Sequence, residues 1–309
     1  NLKNIDVEIP LGVMTVVSGV SGSGKSTLVN EILSKELLAR KHRAQEVPGA
    51  HDEILGLEKL DKAIVIDQKP IGTSIRSTPA TYTGVMDEIR KLFAKENGVS
   101  AKWFSFNSEG GCPICKGTGQ ISYEMAFAEP VVVVCEECGG HRYNPTALSY
   151  KYKGLSIEEV LKLTIEEAFD FFENAKIKKL LQSMLDVGLG YLTLGQPTST
   201  LSGGEVQRVK LASELHKTGS VYVMDEPSTG LHAKDVELLL ALLRKLVENG
   251  NTVIIVEHRM ELIAQADWII DMGLEGGTNG GEMVFCGTPR DLLKCDTSKT
   301  AKYLRDYIR

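Results

Sequence analysis

The sequence predicts an α/β fold: a mainly parallel sheet covered by helices on both faces, with a helical subdomain and a small metal-stapled insertion. Three observations carry this. Short apolar strands alternate with helices at both ends of the chain. A glycine-rich loop, Gly19 to Ser26, lies between a strand pattern and a helix pattern. Between the two α/β stretches, residues 99–150 are rich in Gly and Cys and carry two C-x-x-C pairs.

In chain order, strands are expected near 5–9 and 13–18, then a helix from about Lys25 to Ala39. Arg40 to Lys59 is polar and broken by Pro48-Gly49, a surface excursion. Ala63 to Ile66 reads as a buried strand delivering Asp67-Gln68 to a loop. Thr83 begins a helix with Val85, Met86, Ile89, Leu92 and Phe93 on one face, stopped by Asn97-Gly98. The insertion includes a β-branched run, Val131 to Val134. Two capping boxes, Ser156 with Glu159 and Thr164 with Glu167, announce short helices. A helix from about Lys176 to Val187 follows. After Leu201 come a helix behind Gly204, a strand Val221–Met224, a helix from Ala233 to Asn249, strands Thr252–Val256 and Trp268–Met272, and a hairpin-like end. The expected domains are a core of 1–98 and 189–309, a metal-binding insertion at 99–150 and a helical subdomain at 151–188.

The 309 residues carry a net charge of −6, so any nucleic-acid face must be a local patch. No apolar run approaches the roughly 18 residues that span a bilayer, and no signal-peptide pattern is present. A cytoplasmic protein without membrane contact is expected. The chain opens at Asn1 without a Met, which suggests a piece of something longer or a processed chain.

Gly19-Val20-Ser21-Gly22-Ser23-Gly24-Lys25-Ser26 fits G-x-x-x-x-G-K-[ST] without mismatch, with Thr27 next. Its glycines let backbone N–H groups turn toward phosphate oxygens, and the helix N-terminus adds its dipole. Lys25 is expected on the β- and γ-phosphates of ATP, and Ser26 on Mg²⁺. The strand Val221–Met224 ends in two carboxylates. Asp225 is placed to hold Mg²⁺, and Glu226 to act as general base on water. Alone, such a pair is a common solvated strand end; behind a phosphate loop it reads as functional.

Cys112/Cys115 and Cys135/Cys138 are two chelating turns, and four thiolates suit tetrahedral Zn²⁺. A redox dithiol is the alternative. Cys286 and Cys295 stand alone and read as thiols without a role.

Leu201-Ser202-Gly203-Gly204-Glu205 resembles the signature loop of the ABC ATPase superfamily, a second phosphate nest at a helix N-terminus. The resemblance implies an ABC-type P-loop NTPase core. It implies that Ser202 to Glu205 close on the nucleotide of a facing module. Gln68 matches the Q-loop glutamine that senses Mg²⁺ and the attacking water. Ser228 to His232 match the D-loop, and His258 the switch histidine at the γ-phosphate. One phosphate loop and one signature make two half-sites, so a second cassette is required, either another copy or another half of the same polypeptide.

The zinc pattern within such a cassette narrows the resemblance. Ile66-Asp67-Gln68, Pro70-Ile71-Gly72, Arg76 to Gly84, Phe104 to Asn107, Leu194 to Pro197, Leu201 to Leu211 and Ala266 to Asp271 look like the UvrA family of bacterial nucleotide excision repair, in its C-terminal half with the second cassette. That resemblance implies a dimer of the parent protein, double-stranded DNA read through distortion, and hand-over to a UvrB-like partner. It places Gly119 to Val134 near DNA. Candidate phosphate contacts are Lys69, Arg76, Arg90, Lys102, Lys116 and Arg142; each is otherwise a solvated charge. Lys95 to Gly111 is shorter and less basic than in typical repair members, and Glu109, Glu136 and Glu137 flank the cysteines. Two other readings therefore stand beside repair: a short paralogue in self-resistance against DNA-intercalating antibiotics, and the ATPase subunit of an ABC transporter.

Overall fold

The computed structural model describes residues 2–308 apart from 43–44, 68, 70, 73, 126–127 and 216–219. The chain divides into two compact units, Asn1–Lys69 with Glu214–Arg309, and Pro70–Ser213. The boundaries expected at 98 and 189 fall inside the second unit.

The first unit is built on a six-stranded sheet. Its strands are β1 (Met14–Gly19), β2 (Lys62–Ile66), β5 (Ser220–Asp225), β6 (Thr252–Val256), β7 (Trp268–Met272) and β8 (Met283–Gly287), ordered β2-β5-β6-β1-β7-β8. Every pairing is parallel except β7 with β8. The runs Val221 to Met224 and Val253 to Val256 are wholly buried, so both faces of these strands are covered. Each such Val or Ile is worth roughly 1.5–3 kcal/mol of burial, which exceeds the small strand preference of any one residue.

The helix after β1 is wound in the wider π register over Thr27–Ser34 and continues as α1 (Lys35–His42), past the expected end at Ala39. The long α9 (Ala233–Glu248) buries Val236, Leu239, Leu242, Leu243 and Leu246, one helical face. Short helices α10 (Met260–Ile263), α11 (Pro289–Leu292) and α12 (Lys299–Leu304) complete the unit. The strand expected at 5–9 is not formed. Leu2, Ile5, Val7 and Ile9 are half-buried against the core, while Asp6 and Glu8 face solvent. The alternation there records one-sided packing without ladder pairing.

The second unit holds α2 (Pro79–Tyr82), α3 (Val85–Asn97), the hairpin β3 (Gln120–Met125) and β4 (Ala128–Val134), then α4 (Pro145–Ser149), α5 (Ile157–Lys162), α6 (Ile165–Phe171), α7 (Ala175–Asp186) and most of α8 (Gly203–Glu214). Both expected capping boxes are present, at Ser156/Glu159 and Thr164/Glu167, each cap contributing about 1 kcal/mol. Phe93 packs on Phe104 at 5.1 Å and Tyr152 stacks on Phe172 at 6.0 Å, an aromatic core beneath the cysteine turns. Among the described residues no helix is long and apolar enough to cross a membrane.

Candidate functional site

Register places the phosphate-site residues at one edge of the sheet. Val17 pairs with Val256, and Val256 with Asp225. The residues that follow, Gly19, Glu257–His258 and Glu226, therefore line the C-terminal ends of three parallel strands, where open α/β sheets hold ligands.

The loop from Gly19 to Ser26 turns there. Gly19 has φ +129°, and a Cβ on it would sit 2.2 Å from the Met272 carbonyl oxygen, so only glycine fits. Gly22 and Gly24 also take positive φ, while Ser21 is exposed. Behind the loop, a second glycine-rich segment braces it: Gly277 N–H donates to Gly22 O at 3.1 Å and Gly281 N–H to Ser23 O at 3.0 Å. Ser23 Oγ is buried with no hydrogen-bond partner among the described residues. Ser26 is exposed at the start of the helix, with Thr27 beside it.

Lys25 is only 5% exposed, and its ammonium donates to Gly19 O at 2.9 Å and Val20 O at 2.8 Å. Burial pushes its pKa down, while Glu226, Asp271 and Asp225 pull it up. A buried cation facing these carboxylates from a glycine loop with an orphaned hydroxyl suits a phosphate group.

Asp225 Oδ2 accepts from Asn30 Nδ2 at 2.6 Å. Asn30 lies four residues beyond Ser26, in the π-wound stretch Thr27–Ser34. Glu226 has φ +47°, unusual for a residue with a Cβ, and its N–H donates to Val256 O at 2.9 Å. His258 Nε2 stands 3.2 Å from Glu226 Oε1. The structure thus brings Lys25, Asp225, Glu226 and His258 together in one unit. Gln68 lies outside the described residues.

Sequence reasoning alone missed Asn30, Glu257 and the role of Asp271. Glu257 is 1% exposed. Asp271, also buried, accepts from Ser18 Oγ at 2.7 Å, Ser298 Oγ at 2.6 Å and Thr300 Oγ1 at 2.6 Å, tying α12 to the strand that carries the phosphate loop. The one signal available was a carboxylate in or at the end of an otherwise apolar strand, which demands buried partners.

In the second unit, Ser202 and Glu205 form a reciprocal cap: Ser202 N–H and Oγ donate to Glu205 Oε2 at 2.7 and 2.9 Å. Tyr191 Oη donates to Glu205 Oε1 at 2.7 Å. Burial alone would raise Glu205, but the hydrogen bonds from Tyr191 and Ser202 hold its pKa below the usual value. Ser202 and Gly203 are exposed, and Gly204 is buried. The loop presents Ser202 and Gly203 outward.

The four cysteines converge. Cys112, Cys115, Cys135 and Cys138 are buried, with all sulfur atoms within 4.8 Å of one another, and can hold a metal ion. Cys112 lies 4.0 Å from Cys135, and Cys115 3.7 Å from Cys138. Gly119 N–H donates to Cys115 Sγ at 3.2 Å. Burial would raise the Cys115 thiol, but this amide and the neighbouring thiols outweigh burial and bring it to about 6.

Of the basic candidates, Arg76, Lys116 and Arg142 gather at the first cysteine turn. Arg76 Nη2 donates to Lys116 O at 2.6 Å, and Arg142 Nε to Gly117 O at 3.1 Å. Arg142 also lies over the Phe106 ring at 4.0 Å, so it packs the insertion. Lys69, Arg90 and Lys102 each face a carboxylate, Asp67, Asp87 and Glu109. On the hairpin, Tyr123, Met125 and Val131 to Val134 are exposed.

A family model described as ABC transporter matches residues 123–229. Over its whole length the chain is 55% identical to UvrABC system protein A of Staphylococcus aureus (strain COL) and 54% identical to that of Bacillus subtilis (strain 168), spanning 34% and 33% of those proteins. The crystal structure of UvrA2 from Deinococcus radiodurans matches the whole chain with a TM-score of 0.90 at 48% identity, over 38% of its own length. The chain spans about a third of the relatives it matches. It has the α/β ABC ATPase fold, and over its whole length it is similar to one stretch of these UvrA proteins.

Proposed function

We propose that this chain is an ATP-hydrolysing module of a damage-recognition protein, acting on duplex DNA in nucleotide excision repair. The observation that carries the reading is the convergence of Lys25, Asp225, Glu226 and His258 at one sheet edge, in a chain 55% identical throughout to UvrABC system protein A. Lys25 leaves the carbonyls of Gly19 and Val20 for the β- and γ-phosphates. Ser26, Asp225 and Gln68 would hold Mg²⁺, which would supply neutralisation of phosphate charge when bound. Glu226 takes a proton from water as its oxygen bonds to the γ-phosphorus; the bond to the β-phosphate oxygen breaks and ADP leaves. His258 stands beside Glu226 to contact the γ-phosphate.

The signature residues Ser202 to Glu205 serve the nucleotide of a second cassette, from another half of a longer protein or another copy. Zinc would be held by the cysteine cluster: the four buried sulfur atoms lie within 4.8 Å of one another, and four thiolates suit Zn²⁺. The hairpin beyond it, with Arg76, Lys116 and Arg142 at its base, faces DNA. A UvrB-like partner then takes over the lesion, in the cytoplasm.

The test is binding to a short duplex, intact or with one bulky adduct, with Mg-ATP at two salt concentrations. Tighter, salt-dependent binding to the adduct is expected. Binding to neither duplex would overturn the DNA role and leave a nucleotide-binding module of self-resistance or transport.

A further inference from the structure

Two loops at the phosphate edge are fastened to each other at three points. Glu226 Oε1 lies 3.2 Å from His258 Nε2. Glu257 Oε1 accepts from the Ser228 N–H at 3.0 Å. Arg259 Nη2 donates to the Leu231 carbonyl at 2.8 Å. The other Glu257 oxygen accepts from the N–H groups of His258 at 2.8 Å and Arg259 at 3.2 Å. Glu257 and Ser228 are 1% and 3% exposed, so the bond between them is shielded from water, while the Glu226–His258 pair is open to it. A buried carboxylate is strongly destabilised without its donors, so Glu257 holds its three N–H partners together.

We propose that Glu257 and Arg259 are positioning residues that make the switch histidine and residues 228–231 one rigid body. A phosphate at His258 then restrains 228–231 as well. This rests on the ATP-binding reading of the site. The physical basis is simple: a loop held at one point pivots, whereas one held at three moves only with its neighbour.

The experiment is amide hydrogen exchange with and without a non-hydrolysable ATP analogue and Mg²⁺. It uses the wild-type chain, Glu257→Gln and, as the milder change, Arg259→Ala. In the wild type the analogue should slow exchange at 19–27, 229–231 and 257–259. In each folded variant, protection at 19–27 should stay within twofold while protection at 229–231 falls at least fivefold. Equal protection of 229–231 in the variants would overturn the clasp, as would parallel loss at 19–27, which marks a general defect. No protection of 19–27 in the wild type would overturn the ATP reading and the clasp with it.

Discussion

Asn30 Nδ2 donates to Asp225 Oδ2 across 2.6 Å, so the helix behind the phosphate loop fixes the carboxylate at the end of β5. Hydrogen bonds to charged groups are worth roughly 1.5–3 kcal/mol. Asn30→Ala should therefore raise the Mg²⁺ concentration needed for half-maximal ATP turnover by about tenfold, read from a Mg²⁺ titration. Asn30→Asp, which sets two carboxylates face to face, should be worse. An unchanged titration in both variants would remove Asn30 from the site.

The glycine-rich segment behind the phosphate loop gives a contrast. A Cβ on Gly276 would lie 2.3 Å from the Ser21 carbonyl oxygen, whereas one on Gly250 meets nothing within 4 Å. Gly250 nevertheless has φ +82°, so Gly250→Ala should cost about 1–2 kcal/mol of stability and leave ATP affinity alone. Gly276→Ala should displace the phosphate loop and weaken ATP binding. Thermal unfolding and nucleotide titration of both variants check this, and equal affinities would contradict the bracing role.

Removing zinc should loosen the cysteine turns and hairpin but spare their base. Among the described residues, Ile121 is the one partly buried hydrophobic packed against the four cysteines, while Phe104, Phe106 and Tyr143 are fully buried beneath. Chelation should open protease sites within 112–142 and leave the aromatic base intact. Limited proteolysis with mass spectrometry reads the outcome; unchanged cleavage would show that metal does not hold this segment.

Glu159 supplies a pH signature. Its carboxylate accepts from the Ser156 N–H, Lys151 and the Ser156 hydroxyl, which hold its pKa at about 2. The folded value lies below the ordinary value of about 4.3, so its contribution is full above that value. It is lost as pH falls toward about 2. Acid titration of helicity should show fraying in that window in the wild type and a flatter curve in Glu159→Gln; identical curves would contradict the capping role.

The fold was legible where local pattern and final packing agree. The wholly apolar runs Val221–Met224 and Val253–Val256 became central strands, and the boxes at Ser156 and Thr164 became caps. Leu2 to Ile9 misled because alternation reports which side is buried and says nothing of a pairing partner. In the candidate site, Lys25, Asp225, Glu226 and His258 were singled out by motif and order, and the fold brings them together. Asn30 and Glu257 were not, because their contacts join residues 195 and 29 positions apart, and only the closed sheet brings them together.

As the proposed general base, Glu226 should activate water for ATP hydrolysis. Single-turnover release of phosphate from Mg-ATP, measured alongside ATP binding for the wild type and Glu226→Gln, reads this step. A loss of about 100-fold or more in rate is expected, with ATP affinity retained. Hydrolysis by Glu226→Gln at the wild-type rate would contradict it.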